Sequence, residues 1–261
     1  MAILFGTPNN RGSISTSHFQ MVVQFMEYMR AKRPKMPVHH KVANCTVVGF
    51  ARNALASVVY VDPQYSHLVL VDPDISVAPE TLAEMVDADL PVVAAPYPTR
   101  EWDRQAFVAA ARRIEDAAVA EAVSATYVGG DGELMLTPAP GGGSKPIVRG
   151  RLARVKSCGA GVLVVKREAF LAVAAKRPDL LLREVKSDYW KIGYKGDTVL
   201  ECFEYAGNLR SDQAVEGAGF AKLWTGDCAG EIWTALEASV TRSGEYRFVG
   251  HFASKLKLGL I

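Results

Sequence analysis

The stretch "HLVLVDPDISVAPETL", residues 67–82, indicates the kind of fold that this chain adopts. Its first five residues are apolar enough to form a buried strand, and that strand ends at two carboxylates, Asp72 and Asp74. Pro79 then suits the first position of a helix, where its fixed φ and its missing N–H cost nothing. A buried strand that leads through a turn into a helix is typical of an α/β protein.

The neighbouring segments continue this alternation of strands and helices. Short apolar runs predict strands at "AILFG" (2–6) and "LPVVAA" (90–95). The capping-box pattern at Ser17 is followed by apolar residues at helical spacing, which predicts a helix between these strands. "RNALASVVYV" (52–61) predicts a second helix. A sheet whose strands alternate with helices is largely parallel and covered on both faces. We therefore predict an α/β fold with a mostly parallel central sheet flanked by helices.

The second half of the chain has a weaker pattern. The Ala-rich residues 105–125 predict one helix, and the Gly/Pro-rich residues 129–146 predict a flexible loop. "VKSCGAGVLVV" (155–165) predicts a strand interrupted by glycines, with a helix beginning near Arg167. Residues 188–252 are rich in aromatic residues and glycine, and no element is predicted there.

The composition argues against several classes of protein. The chain has 261 residues, 49% of them hydrophobic and 22% charged, which is ordinary for a globular protein. A net charge of +2 gives no electrostatic case for binding nucleic acid. The four cysteines form no closely spaced pair, and neither a secretory leader nor a membrane-spanning apolar run is visible. We therefore expect a soluble, cytoplasmic protein that does not bind nucleic acid.

Asp72 and Asp74 occupy a position where α/β proteins bind ligands, beyond the carboxyl end of a strand. Two carboxylates one residue apart can both reach one hard cation, since Mg²⁺ and Mn²⁺ prefer carboxylate oxygens and share their shell with phosphates. Pro73 would stiffen the turn between them. A solvated Asp-Pro-Asp turn also accounts for the spacing, so the pair alone leaves both interpretations open.

A wider set of motifs resembles a known family. Residues 52–100 contain an Arg-Asn pair, an apolar strand ending in Asp-x-Asp, a proline-started helix and a strand ending in Tyr-Pro. This order is similar to the core of GT-A-fold glycosyltransferases, above all bacterial, phage and algal-virus members and more loosely fungal mannosyltransferases. "FGTPNNRG" (5–12) resembles the family's nucleotide-binding loop, and "CGAGVLVVKREAF" (158–170) resembles its second-half strand and helix. The likeness covers most of residues 1–175.

The resemblance implies an organisation and an activity. It implies one GT-A-like, Rossmann-like domain over residues 1–261: a nucleotide-binding half (1–104), a helix and flexible loop (105–146), and a mixed donor and acceptor half (147–261). The enzyme would move a sugar from a UDP- or GDP-sugar to a hydroxyl of a saccharide or glycan acceptor, with retention of configuration favoured. Mn²⁺ or Mg²⁺ at the Asp-x-Asp motif, with a basic side chain, would stabilise the charge on the departing diphosphate.

The resemblance also implies roles for individual residues. The predicted nucleotide- and donor-binding residues are Thr7, Pro8, Arg52, Asp72, Asp74, Tyr97, Gly159, Gly161 and Arg242. Asp74 would bind the metal directly, Asp72 would lie near the ribose and the metal, and the two glycines would let the backbone approach the sugar. The same residues also fit plain structural roles: a helix-surface position for Arg52, a strand-ending turn for Thr7 and Pro8, and close packing for the glycines.

Two motifs depart from the family's pattern. The family's Ser-Glu-Asp segment is replaced by Arg-Ser-Asp at residues 210–212. Asp212 remains the candidate catalytic carboxylate that faces the acceptor. The alternative is that it caps the N-terminus of a helix. The His-x-Gly triplet that normally supplies a third metal ligand is replaced by residues 242–244. Arg242 stays protonated and cannot bind a metal, although it can hold a diphosphate. His251 is the candidate substitute ligand, with a structural role as the alternative.

These departures leave other functions open. The main alternative is a catalytically weak or inactive relative that only binds sugar nucleotides. A sugar nucleotidyltransferase is a poorer match, because "GTPNNRGS" (6–13) differs from the Gly-rich, basic loop of those enzymes. The C-terminal "FASKLKLGLI" (252–261) has two lysines among apolar residues, which leaves peripheral membrane contact or self-association open.

Overall fold

The computed structural model describes residues 1–130, 133–185, 187–203, 218–244 and 248–259. The strands of these ranges are β1 (Ala2–Asn9), β2 (Val38–Asn44), β3 (Tyr65–Val71), β4 (Ile75–Val77), β5 (Val92–Ala94), β6 (Tyr97–Trp102), β7 (Ala125–Val128), β8 (Leu136–Pro138), β9 (Ser144–Pro146), β10 (Val148–Arg149), β11 (Leu152–Val155), β12 (Val162–Lys166), β13 (Leu181–Leu182), β14 (Val199–Leu200), β15 (Ile232–Ala235), β16 (Ser239–Arg242) and β17 (Phe248–His251). The α-helices are α1 (Thr16–Lys32), α2 (Val48–Val61), α3 (Pro79–Asp87), α4 (Arg104–Ala111), α5 (Ala117–Ser124), α6 (Arg167–Lys176), α7 (Ser187–Lys191), α8 (Ala218–Lys222) and α9 (Phe252–Lys257). A 3₁₀ helix spans Pro178–Leu180, and a π-helical segment spans Leu223–Asp227.

A large sheet forms the centre of the fold, with its strands in the spatial order β10-β11-β15-β5-β12-β3-β1-β2. Strand β1 pairs in parallel with β2 and β3, and β5 pairs in parallel with β15. Strand β12 runs antiparallel to both β3 and β5, and β11 runs antiparallel to both β15 and β10. All the strands of this sheet except β12 and β11 therefore point the same way. The predicted α/β fold with a mostly parallel central sheet flanked by helices is confirmed.

Alternating apolar side chains bury the sheet on both faces. In β1, Ile3 and Phe5 pack in one apolar cluster with side chains of α1 and α3, whereas Leu4 packs in another with side chains of α2 and α6. Strands β3 and β12 alternate between the same two clusters, as the two-residue period of a strand requires. The carboxyl ends of β1 and β3 are thus held side by side between two layers of helices.

The first two helices begin at positions that differ from the sequence predictions. Helix α1 begins at Thr16 with Ser15 as its N-cap, rather than Ser17, because the Ser15 hydroxyl accepts the His18 N–H at 3.1 Å. Helix α2 begins at Val48, so the Arg-Asn pair lies inside the helix and does not open it.

Residues 105–146 are more structured than predicted. The Ala-rich part forms α4 and α5 in place of one helix, because the Asp116 carboxylate caps a second start by accepting the N–H groups of Ala118 and Val119. The Gly/Pro-rich part contains the antiparallel pair β8 and β9. No helix in the described part of the chain has the length and apolar character needed to cross a bilayer.

A small sheet, with its strands in the order β17-β16-β4, joins the C-terminal region to the turn after β3. Strand β4 begins directly after Asp74, and it pairs antiparallel with β16 so that Ile75 lies opposite Arg242. The backbone N–H of Ser243 also donates to the Asp74 carbonyl at 2.6 Å. This register brings Arg242 to the Asp-x-Asp turn. Strand β16, which carries Arg242, lies in the region where no element was predicted.

Candidate functional site: an arginine-lined cleft

A cleft of about 380 Å³ lies at the carboxyl edge of the central sheet. Its walls come from the segment after β1, the start of α2, the turn of residues 72–74, the side chain of Arg100, and residues 242–244. Parallel strands that end at one edge place their following loops together, which is why open α/β sheets bind ligands there. The volume is in the range of pockets that bind small molecules.

Two helices begin at this cleft. Ser15, the N-cap of α1, lines it, and the Ser15 N–H donates to the carbonyl of Pro73 at 2.9 Å. Val48, the first residue of α2, lines it as well, and the N-cap of α2, Val47, supplies no side-chain cap. The first turn of a helix presents N–H groups and a partial positive charge, so both helix starts favour an anion in this cleft.

Arg52 and Asp72 form a buried ion pair in the cleft wall. Arg52 lies one turn after Val48 on α2, and its Nη2 donates to Oδ1 of Asp72 at 2.9 Å and to Oδ2 at 3.3 Å. The Arg52 side chain is only 4% exposed. The helix-surface alternative for Arg52 is therefore wrong, and the structure brings Arg52 and Asp72 together as part of one site.

Asp74 is shared by two arginines from different elements. Its Oδ2 atom accepts a hydrogen bond from Nε of Arg242, in β16, at 3.0 Å, and another from Nε of Arg100, in β6, at 3.1 Å. Nη2 of Arg100 forms a further bond to the same oxygen. Burial alone would raise the pKa of Asp74, but the charges and hydrogen bonds of the two arginines outweigh it, so the pKa lies below its ordinary value of 3.8. Asp74 is therefore an anion held between two guanidinium groups.

The cleft has an excess of positive charge. Among the lining residues in the described part of the chain, there are four arginines, at positions 11, 52, 100 and 242, and two aspartates, at positions 72 and 74. The whole chain, by contrast, is nearly neutral. A local surplus of guanidinium groups, together with two helix starts, is chemically suited to a phosphate-containing ligand.

Tyr97, Gly159 and Gly161 lie behind the cleft and do not line it. Tyr97 is buried, and its ring lies 5.5 Å from the Cζ atom of Arg242, within cation–π range. A Cβ atom at Gly161 would lie 2.5 Å from Cζ of Tyr97, and one at Gly159 would lie 2.3 Å from Oη of Tyr97. The glycines thus make room for the tyrosine ring. These contacts agree with the packing alternative for the two glycines and place Tyr97 beneath Arg242, and the donor contacts expected of all three stay predictions.

Thr7 also lies outside the cleft, whereas Pro8 lines it. The Thr7 side chain is fully buried, and its hydroxyl is bonded to Nε2 of His18 at 2.9 Å and to Nε2 of His40 at 3.0 Å. Nδ1 of His18 lies 2.9 Å from the carbonyl of Ile75, which can only accept, so Nδ1 carries the proton and neutral Nε2 accepts from Thr7. Thr7 therefore connects β1 to α1 and β2, and it is not among the residues that line this cleft.

The predicted metal site lacks its third ligand. His251 lies opposite Ser239 in the pairing of β16 with β17. Ser239 is three residues from Arg242 along β16, so His251 lies about 10 Å along the strands from Arg242. Its Nδ1 accepts the N–H of Ser254 at 3.2 Å at the start of α9, which is a structural role. Within the ranges that the structure describes, no three Asp, Glu, His or Cys side chains group as a metal site. The residues present therefore do not fit the predicted cation site of Asp72, Asp74 and His251.

The structure adds residues that were not predicted as site residues. Arg11 lines the cleft from the loop after β1, and its signal was a basic residue just beyond the carboxyl end of a buried strand. Arg100 stands out in the sequence only by its position after Tyr97 and Pro98. Asn53, the partner of Arg52 in the motif, accepts the N–H of Phe203 at 2.9 Å. It fixes the chain next to residues 204–217, where the predicted catalytic Asp212 lies outside the described residues.

Comparisons with known proteins give little further information. No protein-family model and no curated protein sequence matches the chain. Among solved structures, A197 from STIV has a TM-score of 0.45 and 12% sequence identity, and the match covers 96% of this chain and 95% of that one. The galactosyltransferase LgtC, solved with donor and acceptor sugar analogues, has a TM-score of 0.28 and 13% identity over 76% and 72% of the two chains. Because both TM-scores are below 0.5, we base no conclusion on these likenesses.

Proposed function

We propose that the arginine-lined cleft binds the diphosphate of a UDP- or GDP-sugar, and that the protein transfers the sugar to a hydroxyl group of a saccharide or glycan acceptor. One observation supports this most strongly. Three arginines from three separate elements, Arg52, Arg100 and Arg242, converge on the Asp-x-Asp turn beyond the carboxyl end of β3. Of these residues, Arg52 and the two aspartates of the turn also belong to the ordered motifs that resemble sugar-nucleotide transferases in the sequence.

The chemistry of the transfer explains why arginine is useful here. When the bond between the sugar and its phosphate breaks, negative charge builds on the departing diphosphate. Fixed guanidinium groups and helix starts stabilise that charge more than they stabilise the intact donor, which lowers the barrier to transfer. The proposed acceptor-facing carboxylate is Asp212, which would accept the proton of the acceptor hydroxyl.

Thermal unfolding with a panel of nucleotides tests the binding part of this proposal. A nucleoside diphosphate or its sugar that binds the native state should raise the melting temperature in a concentration-dependent way, by mass action. Arg242→Gln should lose most of this rise. Arg30→Gln is the matched control, because Arg30 is exposed in the last turn of α1, about 20 Å along the helix from the cleft. The proposal is wrong if neither UDP, GDP nor any of their sugars shifts the melting temperature.

Release of UDP or GDP from the sugar nucleotide tests the catalytic part. The wild type should turn over at least one donor, by transfer or by slow hydrolysis. Asp212→Asn should keep the melting-temperature shift and lose the turnover. A wild type that binds a donor and never releases the nucleoside diphosphate would instead support the alternative of a binding-only relative.

A further inference from the structure

Both aspartates that the sequence assigns to a cation are already neutralised by arginine. Asp72 is paired with Arg52 through both carboxylate oxygens, and Oδ2 of Asp74 is shared by Arg100 and Arg242. A divalent cation on Asp74 would have to displace these guanidinium groups or lie against them, and like charges at such distances repel strongly in a partly buried site. Arg242 moreover lies where the third ligand was expected.

Arg100 and Arg242 are positioned to bind the phosphate oxygens that a metal ion would otherwise bind. A guanidinium group has five N–H donors in a planar fork, more than one carboxylate can accept, so a group anchored on an aspartate can still bind phosphate oxygens. The side chains of Arg100 and Arg242 are 35% and 18% exposed, and both line the cleft. Asp74 thus holds two arginines at the ligand-facing wall.

The support behind Arg242 shows that its position is fixed by packing. Arg242 lies over the buried ring of Tyr97, and Gly159 and Gly161 leave the space that this ring fills. Its strand, β16, is bonded to β4, which begins one residue after Asp74. A pre-positioned guanidinium loses little freedom when an anion binds, which favours direct recognition of phosphate.

We propose that this site binds the diphosphate of a nucleotide directly through Arg100 and Arg242, without a divalent cation. Asp74 is then a positioning residue, which orients two arginines and does not ligate a metal. This inference rests on the proposed function, because it presupposes that the ligand of the cleft is a nucleoside diphosphate. In this proposal, arginine side chains take the place of the predicted Mn²⁺ or Mg²⁺.

Titration calorimetry with UDP and GDP, in EDTA and in Mn²⁺, tests the inference on the wild-type chain. We expect the Kd of the better nucleotide in EDTA to lie within about threefold of its Kd in Mn²⁺. Arg100→Gln and Arg242→Gln should each weaken binding in EDTA by about tenfold or more, as the loss of a charge-assisted hydrogen bond requires. Arg30→Gln should leave the Kd unchanged.

Asp74→Asn separates the two roles of this carboxylate. If Asp74 only positions arginines, the variant should still bind the nucleotide in EDTA, within about threefold of the wild type, because the removal of a negative charge from an anion site offsets the looser placement of Arg100 and Arg242. Binding that occurs only with Mn²⁺, and that Asp74→Asn abolishes in a folded protein, would overturn the inference and leave the proposed function intact. Absence of binding under both conditions would overturn the inference and the proposed function together.

Discussion

The Nε atom of Arg242 lies 3.0 Å from Oδ2 of Asp74, although 168 residues separate the two along the chain. The contact follows from the pairing of β4 with β16, which sets Arg242 opposite the residue after Asp74. The cleft is therefore complete only when the C-terminal region has paired with the Asp-x-Asp turn. Its charge depends on long-range strand register as much as on the motif itself.

The buried pair of Arg52 and Asp72 should couple strongly in a double-mutant cycle. Arg52→Met leaves an aspartate with little exposure and without this partner, and we expect a loss of about 3 kcal/mol in the free energy of unfolding. The double variant Arg52→Met with Asp72→Asn should lose less than the sum of the two single variants. Urea unfolding of the four proteins measures this. Strictly additive losses would show that the pair is not coupled.

The space beneath Tyr97 should tolerate no added methyl group. Gly161→Ala would place its Cβ 2.5 Å from Cζ of Tyr97, so we expect a loss of about 1–3 kcal/mol in the free energy of unfolding, as for other overpacked sites. It should also weaken nucleotide binding, because the ring supports Arg242. Gly226→Ala is the matched control, since a Cβ there meets no atom within 4 Å. Equal stability of the two variants would contradict this packing.

The stability of the protein should fall as the pH falls below about 6.5. Burial lowers the pKa of His18, His40 and His67 below the ordinary value of 6.5, and for His67, near Lys166, to about 4. Between the folded pKa values and 6.5, the unfolded chain binds more protons than the native state. The stability that the three neutral histidines contribute is therefore complete above about pH 6.5, and it is lost as the pH falls through their folded pKa values.

The size of this effect can be measured by urea unfolding between about pH 7.5 and pH 5. Each histidine contributes at most about 1.4 kcal/mol per pH unit. His67→Gln should reduce the slope, and the lowered pKa of Asp74 acts only below its ordinary value of 3.8, outside this window. A free energy of unfolding that rises as the pH falls across this range would contradict the buried, neutral state of these histidines.

The sequence predicted the central sheet well, because its signal is local. The alternation of side chains in β1 and β3 follows from burial on two faces, and Pro79 does begin α3. It also placed Asp72 and Asp74 beyond the end of a strand, and the family resemblance assigned Arg52 to the same site. These features depend on residues close together in the chain, or on the general rule for where open sheets bind ligands.

The remaining features depend on contacts that local patterns do not record. Thr7 was expected in the cleft, but its short side chain is bonded to the buried His18 and the half-buried His40 on other elements. Gly159 and Gly161 were expected at the ligand, but the side chain that they accommodate, Tyr97, comes from a distant strand. The ion pairs of Asp74 were not predicted for the same reason, since Arg242 reaches Asp74 through the pairing of β16 with β4 and Arg100 comes from a separate strand, β6.

A crystal structure of the protein grown with UDP or GDP in EDTA tests the central claim most directly. The account predicts that the diphosphate lies in the cleft, with phosphate oxygens within hydrogen-bonding distance of Arg100 and Arg242 and with Asp74 still paired to them. A nucleotide bound elsewhere on the molecule would contradict it.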